Sequence, residues 1–163
     1  MLTEFNPGPF DFPESAMGTS QANAEMLIRS PVESVFDAFV NPATILRFWL
    51  AKTSGPLAPG ATVQWEFMVP GARETVNVTA FSAPHHLAFD WSDAIHVDMK
   101  FAARESNATV LSVVASGFED ADQAIDATEG FSIVLCDLKT LLESGRSANL
   151  VRDKAALIAA ARK

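Results

Sequence analysis

Tyrosine is missing from this chain of 163 residues, and cysteine occurs once. Without a phenol, any proton donor in a binding cavity has to come from Arg, His or a carboxyl group. The single Cys136 excludes an internal disulfide and suits a reducing, cytoplasmic setting, where it reads as an inert thiol inside a helix. Cations are scarce as well. Twelve Lys and Arg against twenty Asp and Glu leave a net charge of −8, which repels a nucleic-acid backbone and anionic headgroups alike. Nucleic acid is therefore not an expected partner. No run approaches the roughly 18 to 20 apolar residues of a membrane span, and no basic stretch leads into an apolar core at the amino terminus. Repeats, low-complexity tracts and glycine-rich phosphate loops are also lacking, since Pro59-Gly60 and Pro70-Gly71 read as plain turns.

What the chain does have is length enough for one well-buried domain and clear periodicity. It divides into an irregular arm at 1–22, a folded domain at 23–145 and a helical extension at 146–163. The arm is punctuated by Pro7-Gly8-Pro9, Pro13 and Gly18, too densely for a helix or a central strand. Its Phe5, Phe10 and Phe12 would gain from burial, so the arm is expected to pack on its own domain or on the partner subunit of a homodimer. A first strand over Asn23 to Arg29 ends at Ser30-Pro31-Val32-Glu33, where Ser30 is placed to cap a helix, Pro31 to open it and Glu33 to reach back. Val32, Val35, Phe36 and Phe39 then share a helical stripe. Asn41-Pro42 opens a second short helix carrying Ile45, Leu46, Trp49 and Leu50.

Beyond the Gly55-Pro56 loop the period changes to two. Val63, Trp65, Phe67 and Val69 alternate with Thr62, Gln64, Glu66 and Met68. Further strands are expected at Glu74 to Phe81, His86 to Trp91, Ile95 to Phe101 and Thr109 to Phe118. The last is apolar on both faces in its middle, as a central or bulged strand would be. The short turns between these strands require antiparallel neighbours. From about Asp122 to Ser144 the spacing of Thr128, Phe131, Leu135, Leu138 and Leu142, widened by Val134 and Leu141, predicts a long amphipathic helix closed by Gly145. Gly130 inside it implies close approach to the sheet or room for a ligand. Leu150 to Lys163 reads as one more helix, with less to bury. The sum is an α+β domain in which a curved antiparallel sheet grips a long carboxyl-terminal helix.

The wording of particular segments resembles a known family. Ser30 to Phe39, followed by Asn41-Pro42 and Phe48-Trp49, resembles its opening; Ala83-Pro84-His85-His86-Leu87-Ala88-Phe89-Asp90-Trp91 is similar to its Pro/Leu/Trp strand; Glu129-Gly130-Phe131 with Leu135, Leu138 and Leu142 is similar to its closing helix. The family is the START/SRPBCC (birch-pollen-allergen-like) superfamily with its helix-grip fold, in the branch of homologues of the activator of heat shock protein 90 ATPase. The resemblance covers about 23–145. Phe131 stands where the family commonly has Trp, and Gly60 where it has two glycines. The resemblance implies binding of apolar small molecules or lipids in some members, cyclase or hydrolase chemistry in others, and co-chaperone work in the namesake.

The residues themselves offer little catalytic chemistry. His85 and His86 are adjacent on a strand edge and point to opposite faces, so no shared metal is expected. His96 and Asp98 share a face, and the alternation assigns them to the side opposite Val97 and Met99, as a solvated pair. A cyclase or hydrolase would have to use His96, Asp98 or Arg104 as proton shuttle. Arg73, Arg104 and Glu66 suit surface salt bridges. Trp49, Trp65, Phe67, Phe89, Trp91, Phe101 and Phe131 all fall on inward faces, which fits a packed core as well as an apolar pocket. With the resemblance, the reading is a pocket for a small hydrophobic ligand near Trp49, Phe67, Phe89, Trp91, Met99, Phe131 and Leu135, needing no cofactor or metal. An interaction module docking through an acidic outer face is the alternative from another class. Removing residues 1–15 is expected to lower the melting temperature or change the oligomeric state; unchanged melting and sedimentation would reject a packed arm.

Overall fold

Alternation becomes geometry in a seven-stranded sheet, all antiparallel, in the order β1-β7-β6-β5-β4-β3-β2. The computed structural model describes residues 20–92 and 94–162, so residues 1–19 of the arm, with its three phenylalanines, lie outside the described residues. The elements are β1 (Ser20–Ile28), α1 (Val32–Val40), α2 (Pro42–Phe48), β2 (Leu50–Thr53), β3 (Thr62–Phe67), β4 (Arg73–Ser82), β5 (His86–Trp91), β6 (Ile95–Glu105), β7 (Ala108–Phe118), α3 (Ala121–Ser144) and α4 (Leu150–Ala161). Strands β2 to β7 form a meander, and β1 closes it by pairing with β7. This is the curved sheet and long helix of a helix-grip fold.

The inner face is apolar row by row. Ala24, Val113, Met99 and Leu87 stand side by side across β1, β7, β6 and β5, and Phe101 and Leu111 form the next row. Helix α3 lies across β1 and β7 and buries Phe131, Val134, Leu135, Leu138 and Leu141. Each such side chain contributes about 1.5 to 3 kcal/mol relative to exposure. The helix starts where the Asp120 carboxylate accepts the Gln123 N–H at 2.9 Å, and stops at Gly145, whose φ of 84° is left-handed.

Strand β1 is a sheet edge, and α3 shields it. Lys139 donates its Nζ to the Leu27 carbonyl at 2.7 Å, while Glu143 Oε2 accepts both the Arg29 N–H and Lys139 Nζ at 2.7 Å. Outward backbone groups that would template another chain are thereby occupied. At the other end of the β1–β7 pair, Ser20 faces Phe118 but Gln21 faces Ser116, a bulge at Gly117. Gly117 has φ +100°, and a Cβ there would stand 1.9 Å from the Ala94 carbonyl oxygen. Only glycine lets the β5–β6 hairpin sit against this strand. Strand β7 is internal to the sheet and bulged only near its end, while Val114 in its apolar middle stays 37% exposed.

The first helix begins differently from its sequence pattern. Pro31, not Ser30, is the cap residue: its carbonyl accepts the Ser34 and Val35 N–H groups at 2.9 and 3.1 Å, with no side-chain cap. Ser30 is instead buried, and its carbonyl accepts the Thr109 hydroxyl at 2.8 Å. The corner between β1 and α1 is thus fixed by β7. Helix α2 keeps its expected cap, with Asn41 Oδ1 accepting the Ala43 N–H at 3.0 Å, but ends at Phe48. Trp49 terminates it and Leu50 opens β2, a strand not expected from the sequence. Strand β1 also starts at Ser20, earlier than Asn23.

Helix α4 is more firmly seated than its composition suggests. Ala155 is buried, and the α3–α4 connection is clasped by Asp137, a carboxylate that is itself buried. Asp137 accepts the Ser147 hydroxyl at 2.8 Å and the Ala148 N–H at 3.0 Å, with Thr140 Oγ1 at 3.3 Å. Neutral donors on a buried carboxylate are strong and costly to orphan. Asp137→Ala is expected to lose about 2 to 3 kcal/mol in urea denaturation and to accelerate hydrogen exchange in α4 more than in α3, with Asp137→Asn milder. The Glu143 carboxyl is held below the ordinary glutamate range, first by the Lys139 hydrogen bond and then by the Arg29 N–H. Its contribution is therefore fully present above the unfolded-state pKa and fades as pH falls through the lower folded-state value. Glu143→Gln is expected to be less stable than the native chain at pH 7 by about 1 kcal/mol, a gap that closes in urea melts taken at progressively lower pH.

Candidate ligand-binding cleft

At the end of the sheet far from the β1 edge, large aromatic residues meet four small ones. Trp49 comes from the end of α2, Phe67 from the end of β3, Trp91 from the end of β5 and Phe131 from α3. Trp91 and Phe131 are stacked, with centroids 5.9 Å apart and planes 11° from parallel. Trp49 stands edge-on to both, 6.2 Å from Trp91 and 6.1 Å from Phe131, with Phe67 5.5 Å from Trp91. Edge and offset-stacked arrangements of this kind are each worth about 0.5 to 1.5 kcal/mol beyond area burial.

Above this aromatic floor the facing elements do not fill the space. Ala127 and Gly130 on α3, Ala155 on α4 and Ala72 on the β3–β4 hairpin add little bulk, while Met68, Val69, Ile133, Val134, Val151 and Ile158 form the walls. The result is an open cleft of about 300 Å³. That is the small end of the range for ligand pockets. A side chain at Gly130 would meet no atom within 4 Å. The glycine therefore serves no close helix–sheet approach; it keeps the cleft open. Among the described residues the one charged group on the lining is Lys154, whose Nζ lies 3.0 Å from Glu129 Oε1.

Of the residues expected to line a pocket, Trp49, Phe67, Trp91 and Phe131 do so. Phe89, Met99 and Leu135 do not: each is fully buried in the core cluster. Alternation placed them on the correct face but not at the correct depth. The α4 side of the cleft escaped sequence reasoning, although Val151, Ala155 and Ile158 recur at helical spacing.

The titratable groups considered for catalysis are elsewhere. His96 and Asp98 lie on the outer face of β6 but do not pair with each other. His96 Nδ1 meets Asp90 Oδ1 at 2.5 Å, and His86 Nε2 meets Asp98 Oδ2 at 3.0 Å, two cross-strand pairs between β5 and β6. His85 Nδ1 is 3.3 Å from the Phe101 carbonyl oxygen, and Arg104 is exposed. The pairs on the outer face of β5 and β6 have the sheet between them and the cleft, and neither His85 nor Arg104 lines it, so none of these groups is placed to shuttle protons to a molecule bound there. Arg73 and Glu66 form an exposed cross-strand pair at 3.7 Å. Burial raises the Glu74 carboxyl above the ordinary range, and a Ser92 backbone hydrogen bond opposes the shift. Among the described residues no group of three or more His, Cys, Asp or Glu could hold a metal ion, and no helix is long and apolar enough to cross a membrane.

Known structures share this architecture. A Staphylococcus saprophyticus protein is 27% identical with a TM-score of 0.70, covering 78% of this chain and 94% of its own. The Aha1 dimer of Colwellia psychrerythraea is 18% identical with a TM-score of 0.70, over 78% of this chain and 98% of that one. A Mesorhizobium loti protein is 20% identical with a TM-score of 0.68, over 76% and 97% respectively. No functionally curated protein matches. The family described as Activator of Hsp90 ATPase homolog 1-like protein matches residues 29–143, and to that family, a branch of the START/SRPBCC superfamily, the chain belongs.

Proposed function

We propose that this chain binds or carries a small hydrophobic molecule in the cleft bounded by the β3–β4 hairpin, α3 and α4. The observation that carries the reading is an open apolar cleft floored by Trp49, Trp91 and Phe131. Water there gains little from the walls, and a flat or flexible apolar molecule would bury surface against rigid aromatic rings. Ligand binding is also what part of the superfamily does. An enzymatic role would need groups other than His96, Asp98 and Arg104, because none of the three reaches the cleft. Packing of the arm on a partner subunit, one of the two arrangements expected for it, draws support from the dimeric Colwellia Aha1.

Trp49 and Trp91 line the cleft and Trp65 lies 5.1 Å from Trp49, so intrinsic fluorescence reports on its contents. Titration with a diverse panel of small apolar molecules is expected to give a saturable change in emission for some of them. A flat response across the panel would reject the proposal. Gly130 supplies an internal control, because replacing it improves helix propensity by about 1 kcal/mol while filling the cleft. Gly130→Ala and Gly130→Leu are expected to melt at higher temperature than the native chain yet bind progressively more weakly, a pairing that general destabilisation cannot mimic.

A further inference from the structure

The cleft is apolar on every side but one. Lys154 projects from α4 onto its lining, and its ammonium group is paired with Glu129 of α3 at 3.0 Å. The Glu129 side chain is 58% exposed and that of Lys154 35%. A bridge so open to water is worth at most about 1 kcal/mol, so it is readily exchanged for another anion. The methylene stem of Lys154 can lie along the apolar wall while the charge stays at the rim. Lysine offers donors and no acceptor. It would repel a cation, bond weakly to a hydroxyl, and form a charge-assisted hydrogen bond with a carboxylate. A second polar group deeper in the ligand would be desolvated among side chains that, Lys154 aside, carry no nitrogen or oxygen but the indole N–H of Trp49 and of Trp91.

Resting on the proposed ligand-binding role, we infer that the cleft selects amphipathic acids: molecules with one anionic group, held by Lys154 in place of Glu129, and an apolar body. At about 30 Å³ for each water-sized group, the cleft takes roughly ten heavy atoms. A medium-chain or single-ring monocarboxylic acid is the class that fits. The net charge of −8 gives such an anion no general attraction to the surface, which leaves Lys154 as the local source of selectivity.

Octanoate and 1-octanol, matched in chain length and differing in charge, test this on the full chain by tryptophan fluorescence and titration calorimetry. The native chain is expected to prefer octanoate about tenfold, the worth of one charged hydrogen bond at a wet rim. That ratio is expected to fall to about one in Lys154→Met, to persist in Lys154→Arg, and to rise about threefold in Glu129→Gln, where the competing carboxylate is gone. Both positions reach solvent, and circular dichroism confirms that each of the three variants is folded. Octanol binding without preference for octanoate, or a preference that survives in Lys154→Met, would overturn the anchor while leaving the hydrophobic cleft in place. Binding of neither probe would overturn the inference, and the panel titration then decides separately whether the cleft takes any apolar molecule.

Discussion

The long helix has to satisfy two surfaces at once, and this double demand organises the molecule. Its apolar face covers the inner surface of β1 and β7, and its Lys139–Glu143 pair reaches over the rim to occupy the outward backbone groups of β1 at Leu27 and Arg29. A sheet with seven strands is wider than one helix. Seating α3 at the β1 side leaves the rest of the sheet to other elements: α1 packs against β6 and β7, α2 against β2, and α4 against α2 and α3. The cleft lies where those covers meet and where the helices present Ala127, Gly130 and Ala155 rather than bulk.

Much of this was legible in the residues, and the failures share a physical cause. Strand alternation from Val63 to Phe67 and the stripe from Phe131 to Leu138 encode which face is buried, because burial on one side imposes a period. They do not encode how far along a strand the interior stays filled, and for this reason Phe89 and Met99 could be assigned a face but not a position relative to the cleft. Four residues from Leu50 to Thr53 are too few to show a period, so β2 was unreadable locally. Ser30 has the right chemistry for a cap, yet the Thr109 hydroxyl claims its carbonyl from a distant strand. Asp137 stood in plain view as an acid on an apolar helix face; its meaning depends on the donors of Ser147 and Ala148, one turn of chain away in space but ten and eleven residues on in sequence.

The outer face carries the more conspicuous chemistry, with two histidines and two aspartates paired across β5 and β6, while the cleft carries almost none. Histidine near carboxylate draws attention as a proton relay, but relays need a substrate within reach. Here the paired groups bridge neighbouring strands on the side away from the cavity, where their role is to bind β5 to β6. Function in this fold is a matter of which volume is left empty and what rims it, rather than of the most reactive side chains on display.

Gly117 shows how strictly the architecture is bounded at one point. The β5–β6 hairpin rests in the notch left by an absent methyl group, with the Ala94 carbonyl where a Cβ would be. Any other residue there drives a Cβ into the Ala94 carbonyl, so selection at this site acts on the chain's capacity to assemble.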